Sequence, residues 1–181
     1  MKPLRFTSIV SIFLASLLAA CASSTDAPLQ GVPDALRVPA TQVLSLEAGA
    51  TGVQIYECKA SKGDPTRFEW NFKAPEAELF DKSGKNIGKH YAGPTWEAPD
   101  GSKVVGEVKA RDNGPDPAAI PWLLLSAKAA SGYGIFSNTL SIQRLRTSGG
   151  KAPSDVCGPA QQGKEVRVSY KATYTFYVAR P

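Results

Sequence analysis

Hydrophobic and polar positions alternate most regularly at residues 67–73. Phe68, Trp70 and Phe72 occupy every second position there, and charged or amide side chains lie between them. A period of two is typical of a half-buried β-strand, because a helix would spread the three aromatic rings around its circumference. We therefore predict a strand whose aromatic face packs on the core.

The same short pattern recurs along the chain, separated by turns rich in Gly, Pro, Asn and Asp. We predict further strand segments at residues 43–47, 52–59, 77–80, 86–88, 95–97, 103–110, 122–127, 135–146 and 165–179. After the N-terminal segment, no stretch keeps helical spacing of apolar residues for three turns. This pattern predicts an all-β fold over residues 31–181, a single-domain antiparallel β-sandwich or barrel with short helical turns only.

The N-terminus carries the features of an export signal. Lys2 and Arg5 precede an apolar run at residues 6–18, which is too short for a lasting transmembrane helix. Leu18-Ala19-Ala20-Cys21 resembles a bacterial lipobox. The resemblance implies cleavage before Cys21, diacylglycerol on its sulfur and a further acyl chain on the new amino terminus, enough for stable membrane anchoring. An ordinary secretory signal with an incidental cysteine is the alternative.

This N-terminus predicts a lipoprotein of the cell envelope. Residues 1–20 are the signal peptide, and residues 21–30 are a lipidated tether that is small, polar and Pro-containing. Ala22 follows the cysteine where aspartate would retain the protein, a pattern that resembles outer-membrane sorting if the host has two membranes. The net charge of +5 is scattered rather than gathered in a stripe, so nucleic acid is not an expected partner.

The remaining cysteines, Cys58 and Cys157, form an even set in an exported chain. A disulfide between them would close a loop of about 100 residues and stabilise the fold by up to roughly 4.7 kcal/mol in the chain-entropy description. The alternative is two separate reduced thiols.

Residues 88–103 concentrate the candidate chemistry. They contain the single histidine, one of three tryptophans and an ionisable cluster. The candidate binding residues of this stretch are His90, Tyr91, Trp96, Glu97, Asp100 and Lys103. We interpret it as a site for a small molecule or glycan, with Trp96 the tryptophan best placed for exposure because turns surround it.

Two other interpretations of the same stretch stay open. In one, His90 with Glu97 or Asp100 performs acid–base chemistry in a small hydrolase or isomerase. In the other, the aromatic residues are core, His90 makes a structural hydrogen bond and Asp100 belongs to a turn. The third function class is a purely structural envelope protein.

Motifs for other chemistry are missing or weak. A single histidine and a predicted cysteine bridge leave no ligand cluster for a metal site, and no cofactor motif is found. There is no Gly-x-Ser-x-Gly elbow, and the Ser148…Lys151 spacing lies in a glycine loop rather than at a helix start. The sequence therefore identifies no catalytic residue, no metal site and no cofactor, and the oligomeric state is left open.

Several motifs resemble a family of exported bacterial and fungal proteins of unknown function. The motifs are Gly31-Val32-Pro33, Gly52-Val53-Gln54-Ile55-Tyr56-Glu57-Cys58, Lys89-His90-Tyr91-Ala92-Gly93-Pro94-Thr95-Trp96-Glu97, Asp100-Gly101-Ser102, Ile120-Pro121-Trp122-Leu123-Leu124, Ile142-Gln143-Arg144 and Gly149-Gly150-Lys151-Ala152-Pro153 with Cys157. The resemblance implies no established activity. Some fungal relatives carry a malate dehydrogenase label, but this chain has no strand–GxGxxG–helix unit for a nicotinamide.

Overall fold

The computed structural model describes residues 31–181, which form one sheet of eight antiparallel strands closed into a barrel. The strands are β1 Gln42–Ala60, β2 Phe68–Phe80, β3 Asn86–Tyr91, β4 Thr95–Glu97, β5 Lys103–Asp112, β6 Trp122–Ser131, β7 Ser141–Gly149 and β8 Glu165–Ala179. Two short 3-10 turns, Asp34–Leu36 and Pro159–Gln161, are the helical elements of this part of the chain. The all-β prediction is confirmed, and the barrel is the alternative that the chain adopts.

Each strand pairs with the next one along the chain, and β8 pairs with β1 to close the ring. The ring bends where the register shifts, for example between Ile55 and Tyr56 against β2 and between Leu145 and Ser148 against β8. Such bulges increase the local twist and let a sheet curl on itself. Closure removes the free sheet edges that an open sheet would expose.

Small inward residues of β1 lie opposite large inward side chains of β8. Ala48 pairs with Tyr174, and Gly52 pairs with Tyr170. Both tyrosines are buried. The small residues of β1 therefore leave room for the rings of β8 inside a narrow barrel.

One end of the interior is closed by a loop residue. Phe136, between β6 and β7, is 0% exposed and packs on Phe176 with ring centroids 4.8 Å apart. Leu79, Val104 and Ile142 belong to the same apolar cluster. The sequence pattern predicted a strand from residue 135 onward, but β7 begins at Ser141, because residues 132–140 form turns that insert Phe136 into this end.

The aromatic alternation of β2 was assigned the right element but the wrong environment. Phe72 is 54% exposed, and Phe68 and Trp70 are only partly buried. β3 pairs with β2 from Ala77 onward, so the first half of β2 extends past the ring and has no partner on that side. These aromatics therefore lie at the rim of the barrel rather than in its core.

Cys58 and Cys157 form a disulfide with their Cα atoms 5.6 Å apart. The bridge ties β1 to the loop before β8 at the end of the barrel opposite Phe136. Within residues 31–181, no helix is long and apolar enough to cross a membrane. Cys21, the signal peptide and the tether lie outside the described residues.

Candidate functional site

His90 and Trp96 face each other across the β3–β4 pair and both point into the barrel. They are cross-strand partners, and their rings stack 4.4 Å apart at 15°. Trp96 is 1% exposed, so the expectation of an exposed tryptophan is not met. A Cβ at Gly106 would lie 2.9 Å from Trp96 Cζ3, so the glycine on the neighbouring strand makes room for the indole.

The surroundings of His90 keep the imidazole neutral. Its Nδ1 lies 2.9 Å from the carbonyl oxygen of Thr95. Because a carbonyl can only accept, this contact assigns the hydrogen to Nδ1 and leaves Nε2 as an acceptor. Burial lowers the pKa of His90 from 6.5 to about 3. His90 is therefore a neutral, polar side chain of the barrel interior near pH 7.

Tyr91, Glu97 and Lys103 lie on the outer face of the same strands. The Tyr91 hydroxyl donates to Glu97 Oε2 at 2.6 Å, and Lys103 Nζ lies 3.4 Å from that oxygen. Lys89 Nζ approaches it to 3.8 Å. Alternation along a strand explains the separation, because neighbours of inward residues point outward. The hydrogen bond from Tyr91 and the nearby lysines lower the pKa of Glu97.

Asp100 holds the β4–β5 turn. Its carboxylate accepts from the Ser102 amide at 2.8 Å and the Ser102 hydroxyl at 2.6 Å. It also accepts from the Ile135 amide at 2.9 Å, which fixes the loop that delivers Phe136. The candidate residues from the 88–103 stretch are thus divided among the interior, the outer face and a turn. No hydrogen bond joins His90 to Glu97 or Asp100 in residues 31–181.

A cavity of about 410 Å³ lies above His90 and Trp96. Its inner part is formed by side chains from seven strands and a loop, namely Gln54, Tyr56, His90, Trp96, Val108, Ile120, Leu123, Leu125, Arg144 and Tyr174. Its mouth is formed by residues of β2, the β3–β4 turn, β5 and the segment before β6, namely Phe72, Lys73, Pro75, Ala92, Gly93, Pro94, Arg111 and Pro121. Aspartate and glutamate are absent from both sets.

The mouth opens where the barrel wall is lowest. β3 and β4 are six and three residues long, and the turn at residues 92–94 joins them. β2 and β5 continue past this short hairpin on either side. The interior is consequently reachable between Phe72 on β2 and Arg111 on β5, directly above the short turn.

Arg144 is the functional candidate that the sequence analysis missed. It pairs with Leu123 on β6 and Tyr174 on β8, both of which point inward. Cross-strand partners share a face, so the partly buried Arg144 also points into the barrel. The available signal was its spacing of two from Ile142, which placed both residues on one face of the predicted strand.

The Arg144 guanidinium is held by the backbone. Its Nε and Nη2 atoms donate to the carbonyl oxygen of Pro121 at 3.1 Å and 2.8 Å. None of the ion pairs formed within residues 31–181 includes Arg144. Two of the five N–H donors of the group are used, and the charge is not neutralised by a described carboxylate.

Three buried polar atoms of residues that line the cavity also have no hydrogen-bond partner in the described part of the chain. They are Gln54 Nε2, Trp96 Nε1 and Tyr174 Oη. Tyr174 neighbours Arg144 and Tyr170, and Tyr170 neighbours Gln54, but none of these contacts gives the three atoms a well-formed hydrogen bond. A buried polar group without a partner is costly and marks a place where water or a ligand belongs.

No group of three or more His, Cys, Asp or Glu side chains comes together in residues 31–181 to hold a metal ion. The polar groups of the cavity are an arginine, a histidine, tyrosines and amides, which suit hydrogen bonding to an organic molecule.

Comparison with protein families places the whole barrel in one group. Residues 39–178 match the family described as "Protein of unknown function (DUF3455)". The chain belongs to the DUF3455 family. The match runs from before β1 almost to the end of β8, so it includes every residue of the cavity wall. No curated protein and no solved structure matches the chain.

Proposed function

We propose that this DUF3455 protein is a membrane-anchored, exported lipoprotein whose barrel binds a small organic molecule above His90 and Trp96. The observation that carries the proposal is the cavity of about 410 Å³ with an open mouth between β2 and β5. Ligand pockets in proteins have volumes of about 300–1,000 Å³, mostly apolar walls and a few convergent polar groups. This cavity has that composition.

The cell-envelope assignment is supported from two sides. The disulfide between Cys58 and Cys157 is consistent with folding in an oxidising compartment. The lipobox-like sequence at residues 18–21 supports the lipid anchor and, with Ala22, the outer membrane facing the periplasm in a host with two membranes. Replacing Cys21 with serine should leave the protein unprocessed or free of the membrane fraction. Unchanged fractionation of C21S would refute the anchor.

A buried site favours a compact molecule over a glycan chain. The aromatic rings of the cavity floor are buried, whereas sugar stacking in exported modules uses exposed rings. A hydrolase or isomerase built on His90 is not favoured, because neither Glu97 nor Asp100 contacts the imidazole. Binding without chemistry is therefore the proposed role.

The test is a pair of valine substitutions on β5. Val108 lines the cavity, whereas Val105 lies beside the inward Val104 and Gly106, points outward and is not part of the cavity wall. V108F should fill part of the cavity and abolish binding of small molecules detected by ligand-observed NMR with a fragment panel. V105F adds the same ring outside the cavity and should keep binding. Fragments that bind V108F as they bind the natural protein would refute the proposed site.

A further inference from the structure

We propose that the ligand of this cavity is a compact organic monocarboxylate, bound with its carboxylate on Arg144 and its apolar body against Trp96, Val108 and Leu123. The inference rests on the proposed function, since it names the class of molecule that the cavity would bind. It is carried by a cation in the barrel interior that forms no ion pair with any carboxylate of residues 31–181, and by unpaired donors of residues that line the same cavity.

The inner part of the cavity has one unpaired positive charge, which a ligand with one negative charge would neutralise. Arg144 is a partly buried cation, and among residues 31–181 no aspartate or glutamate lines the cavity around it. The neighbouring titratable groups do not compensate, because burial raises the pKa of Tyr56 and Tyr174 and lowers that of His90, so all three are neutral. A buried cation is costly without a partner, and an anionic ligand would supply one.

The unpaired polar atoms are hydrogen-bond donors, which a ligand with acceptor atoms would suit. Gln54 Nε2 and Trp96 Nε1 can only donate, and Tyr174 Oη can donate as well. Arg144 retains three N–H donors beyond those that contact Pro121. Carboxylate oxygens are acceptors only and match the planar guanidinium in a bidentate geometry. The remaining donors of Arg144 therefore match the acceptors of a carboxylate, and the buried donors of Gln54, Trp96 and Tyr174 belong to residues of the same wall.

A single full charge at the base of the cavity favours a carboxylate over a phosphate, which carries close to two negative charges at neutral pH. The other two cations lie at the mouth, where Lys73 is already paired with Glu165. Arg111 and Lys73 would attract an anion toward the opening rather than bind it at the base. The remainder of the wall is apolar or aromatic, which suits a compact ring or short chain behind the carboxylate.

The experiment compares acids with their matched amides on the natural protein at pH 7.5. The probes are benzoate, phenylacetate, indole-3-acetate and octanoate, each measured against its primary amide, with phenyl phosphate added as a dianion. Binding is followed by NMR through the side-chain signals of Arg144 and Trp96. We expect at least one acid to bind more tightly than its amide and than phenyl phosphate.

Substitutions of Arg144 then test whether this residue binds the carboxylate of the ligand. R144Q should weaken acid binding by about 10- to 100-fold, the range expected for losing a charge-assisted hydrogen bond. R144K should lose less, because it keeps the charge without the planar fork. R146Q removes the same charge from an exposed position of β7 outside the cavity and should change nothing.

The outcomes separate the two proposals. Amides that bind as tightly as acids, or acids that bind R144Q unchanged, overturn the carboxylate assignment while leaving a cavity that binds small molecules. Tighter binding of phenyl phosphate overturns it as well. If no probe binds, or V108F binds all of them normally, the proposed function fails together with this inference. Should R144Q not fold, the acid–amide comparison and R144K still decide the matter.

Discussion

The two ends of the barrel interior are built from the same alternating strands, but one end is filled by side chains and the other contains a cavity. At one end Phe176 packs against Phe136, which a loop inserts from outside the sheet, and Leu79 belongs to the same apolar cluster. At the other end Tyr174 and Arg144 line a cavity that no loop of residues 31–181 fills. The inward alternation of β8 runs through both ends, from Tyr170 to Phe176.

The difference shows that strand patterning defines the interior but not whether it is filled. Filling depends on connections. The β6–β7 loop is long enough to return a phenyl ring to the packed end, whereas the turn at residues 92–94 is too short to cover the open end. The open end is instead secured by the disulfide on β1.

The largest expected effect comes from removing the Phe136 side chain at the filled end. F136A should lower the free energy of unfolding by about 3–5 kcal/mol, because it deletes a fully buried aromatic ring and leaves a void. Chemical denaturation measures the effect. Y133A truncates a 95% exposed ring in the same loop and should stay within about 0.5 kcal/mol of the natural protein. Equal losses in both variants would contradict the role given to Phe136.

The disulfide should stabilise the open end. Replacing Cys58 and Cys157 together with alanine is expected to cost roughly 2–5 kcal/mol, as for native bridges of small exported domains. Denaturation with and without a reductant, compared with C58A/C157A, measures it. Hydrogen exchange should rise most in β1 and in the loop before β8. Unchanged exchange there, with a normal midpoint, would show that packing alone holds this end.

The neutral His90 gives the interior a pH dependence. Its pKa is about 3 when folded and near 6.5 when unfolded, so the unfolded chain binds the proton first. Stability from this group is full above pH 6.5 and falls as the pH drops toward 3. Between pH 8 and pH 5 the loss should be on the order of 2 kcal/mol.

Urea unfolding at these two pH values tests the dependence, and H90Q should flatten it whatever its own stability. The carboxylates whose pKa values are lowered, such as Asp100, lose their contribution only at lower pH. A natural protein with no change in stability between pH 8 and pH 5 would contradict the neutral, buried histidine.

The smallest expected effect comes from the outer face. E97Q removes the carboxylate that Tyr91, Lys89 and Lys103 approach, but this cluster lies across the sheet from the cavity. Binding of the acid probes should be unchanged, because the separated groups share no partner. A clear loss of affinity in E97Q would restore Glu97 to the binding site and weaken the division between the two faces.

The sequence analysis singled out a stretch that contributes to the candidate site, but it did not identify which residues of that stretch line the cavity. The 88–103 stretch contributes His90 and Trp96 to the cavity, while Tyr91, Glu97, Asp100 and Lys103 are diverted outward or into a turn. Proximity in sequence suggested one cluster. The pleat of a strand separates neighbours, so only every second residue could share the interior.

Arg144 was missed for the complementary reason. It lies 54 positions after His90, and nothing local marks it as a binding residue. Its pairing with β8 places it beside Tyr174, and closure of the ring between β8 and β1 brings its strand opposite the β3–β4 pair. The aromatic trio of β2 failed similarly, because its alternation could not reveal that β3 is too short to cover it.

The class of fold, the cysteine pair and the stretch that carries the histidine could be predicted from the amino-acid sequence. Those features depend on local periodicity, turn residues and composition, which the chain displays directly. The closing of the sheet, the filling of one end by Phe136 and the placement of Arg144 and Tyr174 in the cavity at the other are visible only in the folded structure. These outcomes depend on register and loop length summed around eight strands, because a shift of one residue in any pairing would exchange the faces.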